Sequence, residues 1–328
     1  MSRRILPMAA QFKPALARLL VCAGRRSVSS SAAMLQIEQI ADLVEKHRAE
    51  THARVKEFTV QGHPFAFNSE PAIMGVINLS PDSWYRESVC LSAEAAVHRG
   101  LVLHAQGAAV VDIGAESTLA HAEIAEADLQ NSKLLPVVRR LQSAGVLVSV
   151  ETYQPVVAKA CLEAGAGILN LTGNADSEEM YSLVAQHDAA VIICYVQGKN
   201  VRKVRDFKLT DDPIPVMRNY FERQIEMATH LGVKKIFIDP GLGFYYRNLQ
   251  DSAVRVRHQM NTFLNTFRLR SLGYPVCHAL PHAFEYFREE VRQAEPFFAV
   301  LAALGKTDLF RTHEVARTRA VIDTLRAF

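Results

Sequence analysis

Three kinds of chemistry-bearing residue recur in this sequence just beyond short apolar runs. The carboxylates Asp82, Glu116, Glu151 and Asp239 can each accept paired N–H donors or a proton. The cation Arg311, with the imidazoles of His278, His282 and His313, can donate to an anion or, for the imidazoles, bind a metal. The amides and hydroxyls of Asn78, Ser117, Thr118, Asn170 and Gln197 can orient whatever the charged groups hold. Each position also has a structural explanation. Asp82 follows Pro81 and can cap a turn. Glu151-Thr152 opens a helix, where a carboxylate is a common cap, and Asn170 can satisfy loop backbone. These explanations serve single positions but not the whole set, because unpaired polar groups are costly to bury.

The elements that position these residues follow from hydrophobic patterning. Buried parallel strands are predicted at Ile73–Ile77, Ala109–Ile113, Val146–Val150, Gly167–Leu171, Ala190–Tyr195, Lys235–Ile238, Pro275–Ala279 and Asp308–Thr312. Helical periodicity lies between them at Ala93–Gln106, Pro155–Glu163, Pro213–Leu231 and Ala283–Leu304. Gly107 and Gly165 fall where helix ends require positive φ. The fold class expected is α/β, a (β/α)8 TIM barrel, with the chemical residues at the C-terminal ends of its strands. A doubly wound open sheet is the rival; no G-x-G-x-x-G follows the first strand, and the polar residues recur after nearly every strand. Ahead of the barrel, residues 35–70 carry a short helix, with Ile37, Ile40, Leu43 and Val44 at helical spacing. A hairpin follows, with Phe58 and Val60 on one arm and Phe65 and Phe67 on the other, turning through Gln61-Gly62-His63-Pro64 and able to plug the barrel floor. The expected organisation is therefore a leader over 1–34, an extension over 35–70 and the barrel over 71–328.

Composition narrows the partners. The net charge of +3 is carried by the leader, since residues 1–37 hold Arg3, Arg4, Lys13, Arg18, Arg25 and Arg26 and no acid. The remainder is slightly acidic, so no nucleic-acid surface is expected. Lys199, Arg202, Lys203, Arg205 and Lys208 sit among Asp206, Asp211 and Asp212 and read as a solvated loop. No uncharged run approaches the roughly 18 residues of a membrane span. The leader is rich in Arg, Ser and Ala, as in a mitochondrial transit peptide; it also reads as sequence upstream of a start at Met34 in a cytoplasmic protein. Five cysteines without a C-x-x-C pair fit a reducing compartment.

Longer motifs carry a family resemblance. Ile73-Met74-Gly75-Val76-Ile77-Asn78-Leu79-Ser80-Pro81-Asp82-Ser83-Trp84 resembles the first-strand signature of dihydropteroate synthases, and Gly107 through Thr118 the second. Val148–Tyr153, Gly167–Asn170, Gln197-Gly198, Asp239–Phe244 and Arg311–Val315 follow in family order. The resemblance implies that Glu151, Asn170 and Asp239 bind the amino-pyrimidinone edge of a pterin, a carboxylate suiting paired N–H donors. It implies that Asn78, Arg311 and His313 bind a pyrophosphate leaving group, with Asn78 near a Mg2+ cofactor, and that Thr118 lies near the entering amine. The reaction implied displaces pyrophosphate from a pterin methylene by the amine of 4-aminobenzoate, and a homodimer is the usual state of such enzymes.

Departures from the pattern touch the pterin edge and fall most heavily on the second-substrate site. Leu119-Ala120-His121 stands where Arg-Pro-Gly is usual, Glu151 where Asp is, and Leu171 where Asp follows the Asn. The usual Lys at the end of the sixth-strand motif is replaced near Tyr245-Tyr246. Leu280-Pro281-His282 stands near Ser-Arg-Lys, placing His282 at the lysine that packs on the pterin. Two other readings use the same residues. One is a metal-dependent hydrolase built on Asp239, His278, His282, His313 and Glu151; the other is a non-catalytic pterin or folate binder.

Overall fold

In the computed structural model of the chain, the described residues are 34–81, 85, 88–116, 126–200, 207–244 and 252–328. The chain divides into two compact units, Met1–Asp42 and Leu43–Phe328. Of the first, residues 34–42 are described and contain the start of helix α1 (Ile37–Lys46), which buries no side chain.

In the second unit, after the end of α1 and a 3-10 turn (Glu50–His52), comes a two-stranded ribbon, β1 (Phe58–Val60) and β2 (His63–Phe65), paired antiparallel with Val60 opposite His63. Its turn is only Gln61-Gly62, at φ +47° and +84°, the positive values of a tight hairpin turn. His63 and Pro64, expected in the turn, belong to β2.

Eight parallel strands follow: β3 (Ala72–Asn78), β4 (Val110–Gly114), β5 (Val148–Thr152), β6 (Ile168–Leu171), β7 (Ala190–Cys194), β8 (Lys235–Asp239), β9 (Cys277–Ala279) and β10 (Leu309–Thr312). They run β8-β7-β6-β5-β4-β3-β10-β9 across the sheet. A parallel bridge between Ile238 and Val276 brings β8 to the start of β9, which closes the barrel. Helices α2 (Ala93–Ala105), α3 (Ala127–Ser143), α4 (Pro155–Glu163), α5 (Ser177–Gln186), α6 (Ile214–His230), α7 (Ser252–Leu264), α8 (Thr266–Arg270), α9 (Phe284–Phe287), α10 (Ala294–Leu304) and α11 (Val315–Arg326) separate or follow the strands. Gly107 and Gly165, at φ +100° and +106°, leave α2 and α4 in the left-handed conformation anticipated for them. The helix expected over Ala283–Leu304 is instead α9, a 3-10 segment (Arg288–Gln293) and α10. The cause is backbone: Arg288 takes φ +46° and Glu290 leaves helical geometry.

Strand parity sorts the barrel interior into layers. At its lower end Met74, Val110, Ile168, Phe237 and Leu309 share one apolar cluster with Val60, Phe65 and Phe67 of the extension. Phe58, Phe65 and Phe67 stand edge-on to the Phe237 ring, at 5.1, 6.1 and 5.5 Å between centroids. The ribbon is the floor of the barrel. Side chains alternate along a strand, so the residues two further on return to the interior one level higher. Above Val110, Ile168, Phe237 and Leu309 these are Asp112, Asn170, Asp239 and Arg311. No helix among the described residues is long and apolar enough to cross a membrane.

Candidate active site at the barrel mouth

Arg311 organises the upper layer. Its Nε donates to Asp112 Oδ2 at 2.7 Å and its terminal nitrogen to Glu151 Oε2 at 2.5 Å. Asp112, wholly buried on β4, also accepts Ser149 Oγ at 2.6 Å and the Asn170 side-chain amide at 3.1 Å. Asp239 accepts the Gly241 N–H at 2.7 Å, made possible by the turn of Gly241 at φ +76°. Three carboxylates thus face one guanidinium.

The imbalance shows in their acidities. Burial pushes the Glu151 carboxyl up to about 7, against the pull of Arg311 and helped by the charges of Asp112 and Asp239. Burial likewise pushes Asp239 up to about 6, against the Gly241 N–H and Arg311. For Arg311 burial works against the charge, but Asp112 and Glu151 outweigh it and hold the guanidinium more firmly protonated than usual.

A second group lies beside β3 and β10, which are neighbours in the sheet. The Asn78 amide nitrogen donates to Ser88 Oγ at 2.7 Å, folding the loop after β3 back on the strand end. His313 begins the loop after β10, its Nδ1 2.6 Å from Glu295 Oε1. His282 Nε2 is 2.9 Å from the same oxygen. The Tyr85 ring stacks on both imidazoles, at 4.9 Å from His282 and 4.5 Å from His313. Burial lowers the His313 imidazole below its usual range, against the pull of Glu295.

The expected residues separate accordingly. Glu151, Asn170, Asp239 and Arg311 converge on one layer, while Asn78 ends β3 and His313 follows the adjoining β10. His282 joins His313 through Glu295. Three other members of the predicted ring have structural duties. His278 is turned out of the barrel, fully buried against Phe263 at 4.8 Å and bonded to Thr266 Oγ1 at 2.8 Å; burial lowers it to about 3 and keeps it neutral. It therefore cannot join Asp239 and Glu151 in a hydrolytic metal centre, and that five-residue centre does not form. Glu116 accepts Tyr153 Oη at 2.6 Å and Gln130 Nε2 at 2.9 Å, pinning β4's exit to α3. Gln197 accepts the Lys208 N–H at 2.6 Å and donates to Lys208 O at 3.1 Å, stapling the loop after β7. Asp82, Ser117 and Thr118, with Leu119–His121 and Tyr245-Tyr246, lie outside the described residues.

Two participants carry little signal in the sequence. Asp112 sits inside the apolar run of its strand, where only parity with Val110 marks it as interior. Glu295 stands at the start of α10 and reads as an ordinary first-turn acid.

A closed barrel carries this carboxylate layer and the adjoining Asn78 and His313 group at its mouth, and residues 74–280 match the model of the pterin binding enzyme family. The chain belongs to that family. Within it, the chain is similar to dihydropteroate synthases. It is 28% identical over 264 residues to that of Synechocystis sp., covering 76% of this chain and 88% of the relative. It is 28% identical over 273 residues to that of Streptococcus pyogenes serotype M6, covering 80% and 97%. The crystal structure of Xanthomonas albilineans dihydropteroate synthase with 4-aminobenzoic acid superposes with TM-score 0.69 at 27% identity, covering 83% of this chain and 97% of that one. The Thermus thermophilus enzyme in complex with 4-aminobenzoate gives TM-score 0.70 at 24% identity, covering 83% and 100%, and shares the fold.

Proposed function

We propose that the chain is a dihydropteroate synthase-like transferase that joins a pterin pyrophosphate to an amine, with an altered second-substrate pocket. The observation that carries this reading is the Arg311 guanidinium lying between Asp112 and Glu151. A 2-aminopyrimidinone edge offers the same kind of adjacent N–H donors as a guanidinium. The carboxylates that hold Arg311 are therefore shaped and charged to take a pterin edge, with Asn170 and Asp239 at the same level. On this reading the pterin displaces Arg311 from Glu151, and the freed guanidinium turns to the pyrophosphate.

Asn78 and His313 complete the leaving-group corner on the adjoining strands. The Asn78 amide nitrogen is committed to Ser88, so its carbonyl oxygen is the face offered to a cation, and a hard oxygen donor suits Mg2+. Bound there, Mg2+ would neutralise charge developing on pyrophosphate oxygens. The protein's own share is positioning: the carboxylate layer fixes the ring, and Arg311 and His313 face the departing anion.

The second-substrate pocket is where the sequence departs most from the family pattern. Leu119 supplies no charge, Pro281 lacks a backbone N–H, and His282 is engaged by Glu295. Thr118 remains the proposed neighbour of the entering amine. Missing two charged contacts worth about 1.5–3 kcal/mol each would lower turnover with 4-aminobenzoate by roughly two to four orders of magnitude. Sulfonamides, which mimic that substrate, should bind weakly for the same reason. The test is pyrophosphate release from dihydropterin pyrophosphate and Mg2+, with and without 4-aminobenzoate. Slow, amine-dependent release is expected. Absence of release with any arylamine would remove the transferase reading, and brisk dihydropteroate formation would show the lost contacts replaced from elsewhere.

A further inference from the structure

The corner beside the barrel mouth contains a second arrangement, of which the proposed pterin reaction uses His313 alone. His282 follows β9, Glu295 lies in the first turn of α10, and His313 follows β10. Their donor atoms lie within 4.8 Å of one another. Nε2 of His282 and Nδ1 of His313 both point at Oε1 of Glu295, at 2.9 and 2.6 Å. The other carboxylate oxygen, Oε2, accepts the backbone N–H of His313 at 2.9 Å, that of Glu314 at 3.2 Å, and the Thr312 hydroxyl. Three donors thus fix the carboxylate's plane and leave Oε1 to the two imidazoles alone. Glu295 itself is fully buried. Ligating carboxylates are commonly held by hydrogen bonds from their surroundings, as Oε2 is here, which leaves Oε1 and the two imidazole nitrogens grouped around one point.

We propose that His282, Glu295 and His313 bind one divalent transition-metal cation, of the zinc class, through two imidazole nitrogens and one carboxylate oxygen. Two nitrogens and one oxygen suit zinc, cobalt or iron(II), whereas Mg2+ favours oxygen donors and bound water. The present 2.6 and 2.9 Å separations are hydrogen-bond lengths. Metal bonds of about 2.0–2.2 Å in a tetrahedron set donors about 3.3–3.5 Å apart, so loading lengthens these two separations by roughly 0.4–0.9 Å. Each imidazole then presents a lone pair to the ion in place of its N–H, its remaining proton moving to the other ring nitrogen. The cation ties the loops after β9 and β10 to α10 and fixes His313 beside the leaving-group corner. The assignment is independent of which substrate the barrel mouth takes.

The test uses the full chain, stripped with a chelator and titrated with Zn2+ and, separately, Co2+, without substrate. One equivalent of Zn2+ should bind with an excess of Mg2+ present, and it should raise the melting temperature. The Co2+ adduct should absorb in the visible without a thiolate charge-transfer band, since no cysteine is a ligand. Glu295→Gln and His282→Gln should each lose affinity by at least about 100-fold, more than loss of an outer partner commonly costs. Should Glu295→Gln fail to fold, His282→Gln decides. Uptake of no stoichiometric ion, unchanged affinity in His282→Gln, or a thiolate band would each overturn the proposal. Failure here leaves pterin binding untouched, and failure of pterin binding leaves this titration untouched.

Discussion

Glu151 and Asp239 are carboxylates held by burial close to neutral pH, at about 7 and about 6, and this gives the site a pH signature. To accept paired pterin N–H groups through both oxygens they must be ionised. Pterin affinity should therefore be flat above about pH 7.5 and fall as pH drops through 7 and then 6, by up to about tenfold per unit for each proton taken up. Stability of the ligand-free protein should carry the opposite slope from these two groups. Their folded values lie above the ordinary 4.5 and 3.8, so the folded chain retains protons that the unfolded chain has released. Their contribution is complete below about pH 4 and is lost as pH rises through 6 and 7. Calorimetric binding and thermal melting over pH 5–8 measure both slopes, and Glu151→Gln should flatten part of each.

Arg311 gives a sharper residue-level test because it stands where the pterin edge is proposed to bind. Arg311→Ala should abolish pyrophosphate binding while leaving an unphosphorylated pterin bound at least as well as before. Equal loss of both ligands would mean that Arg311 is part of the pterin shelf and not its placeholder. The same substitution strands Asp112 and Glu151 without their cation, so the ligand-free protein should melt at a lower temperature.

At the scale of elements, the site depends on a floor that carries no chemistry. Phe237 is fully buried, and Phe58, Phe65 and Phe67 close on its ring two positions below Asp239. Phe237→Ala should cost about 3–5 kcal/mol of stability by leaving a cavity between ribbon and barrel, read as a fall in denaturation midpoint. Elements are the most legible part of the sequence. Apolar runs separated by Gly-terminated helices define eight βα units, and their observed ends differ from the expected ones by a residue or two. Which way a side chain faces is less legible. His278 ends an apolar run and is expected at the mouth, yet Cys277 and Ala279 occupy the inward parity and send His278 among the helices. Asp112 escapes notice for the converse reason, being inward but within the run. In both strands register with the neighbouring strands, and not nearness to the strand end, decides the face. The break between α9 and α10 is invisible in the sequence because it rests on the backbone of Arg288 and Glu290, residues of ordinary helical propensity.

For the whole molecule, the barrel brings residues from five strands, β4, β5, β6, β8 and β10, to one level, so that Asp112, Glu151, Asn170, Asp239 and Arg311 form a single polar layer, the surface proposed to read the pterin. Sequence separations of up to 199 residues, between Asp112 and Arg311, are bridged there by direct hydrogen bonds. Family motifs foretell most of this surface, but not that its cation is folded onto its own anions. The measurement that tests the account most directly is the binding of dihydropterin pyrophosphate with Mg2+ to the intact protein and to Asp239→Ala, by isothermal titration calorimetry at pH 8. One equivalent should bind the intact protein, and the variant should bind at least about 30-fold more weakly, as expected for losing a buried charged hydrogen bond of about 2 kcal/mol or more. Equal affinity in the two proteins, or no binding to the intact one, would contradict it.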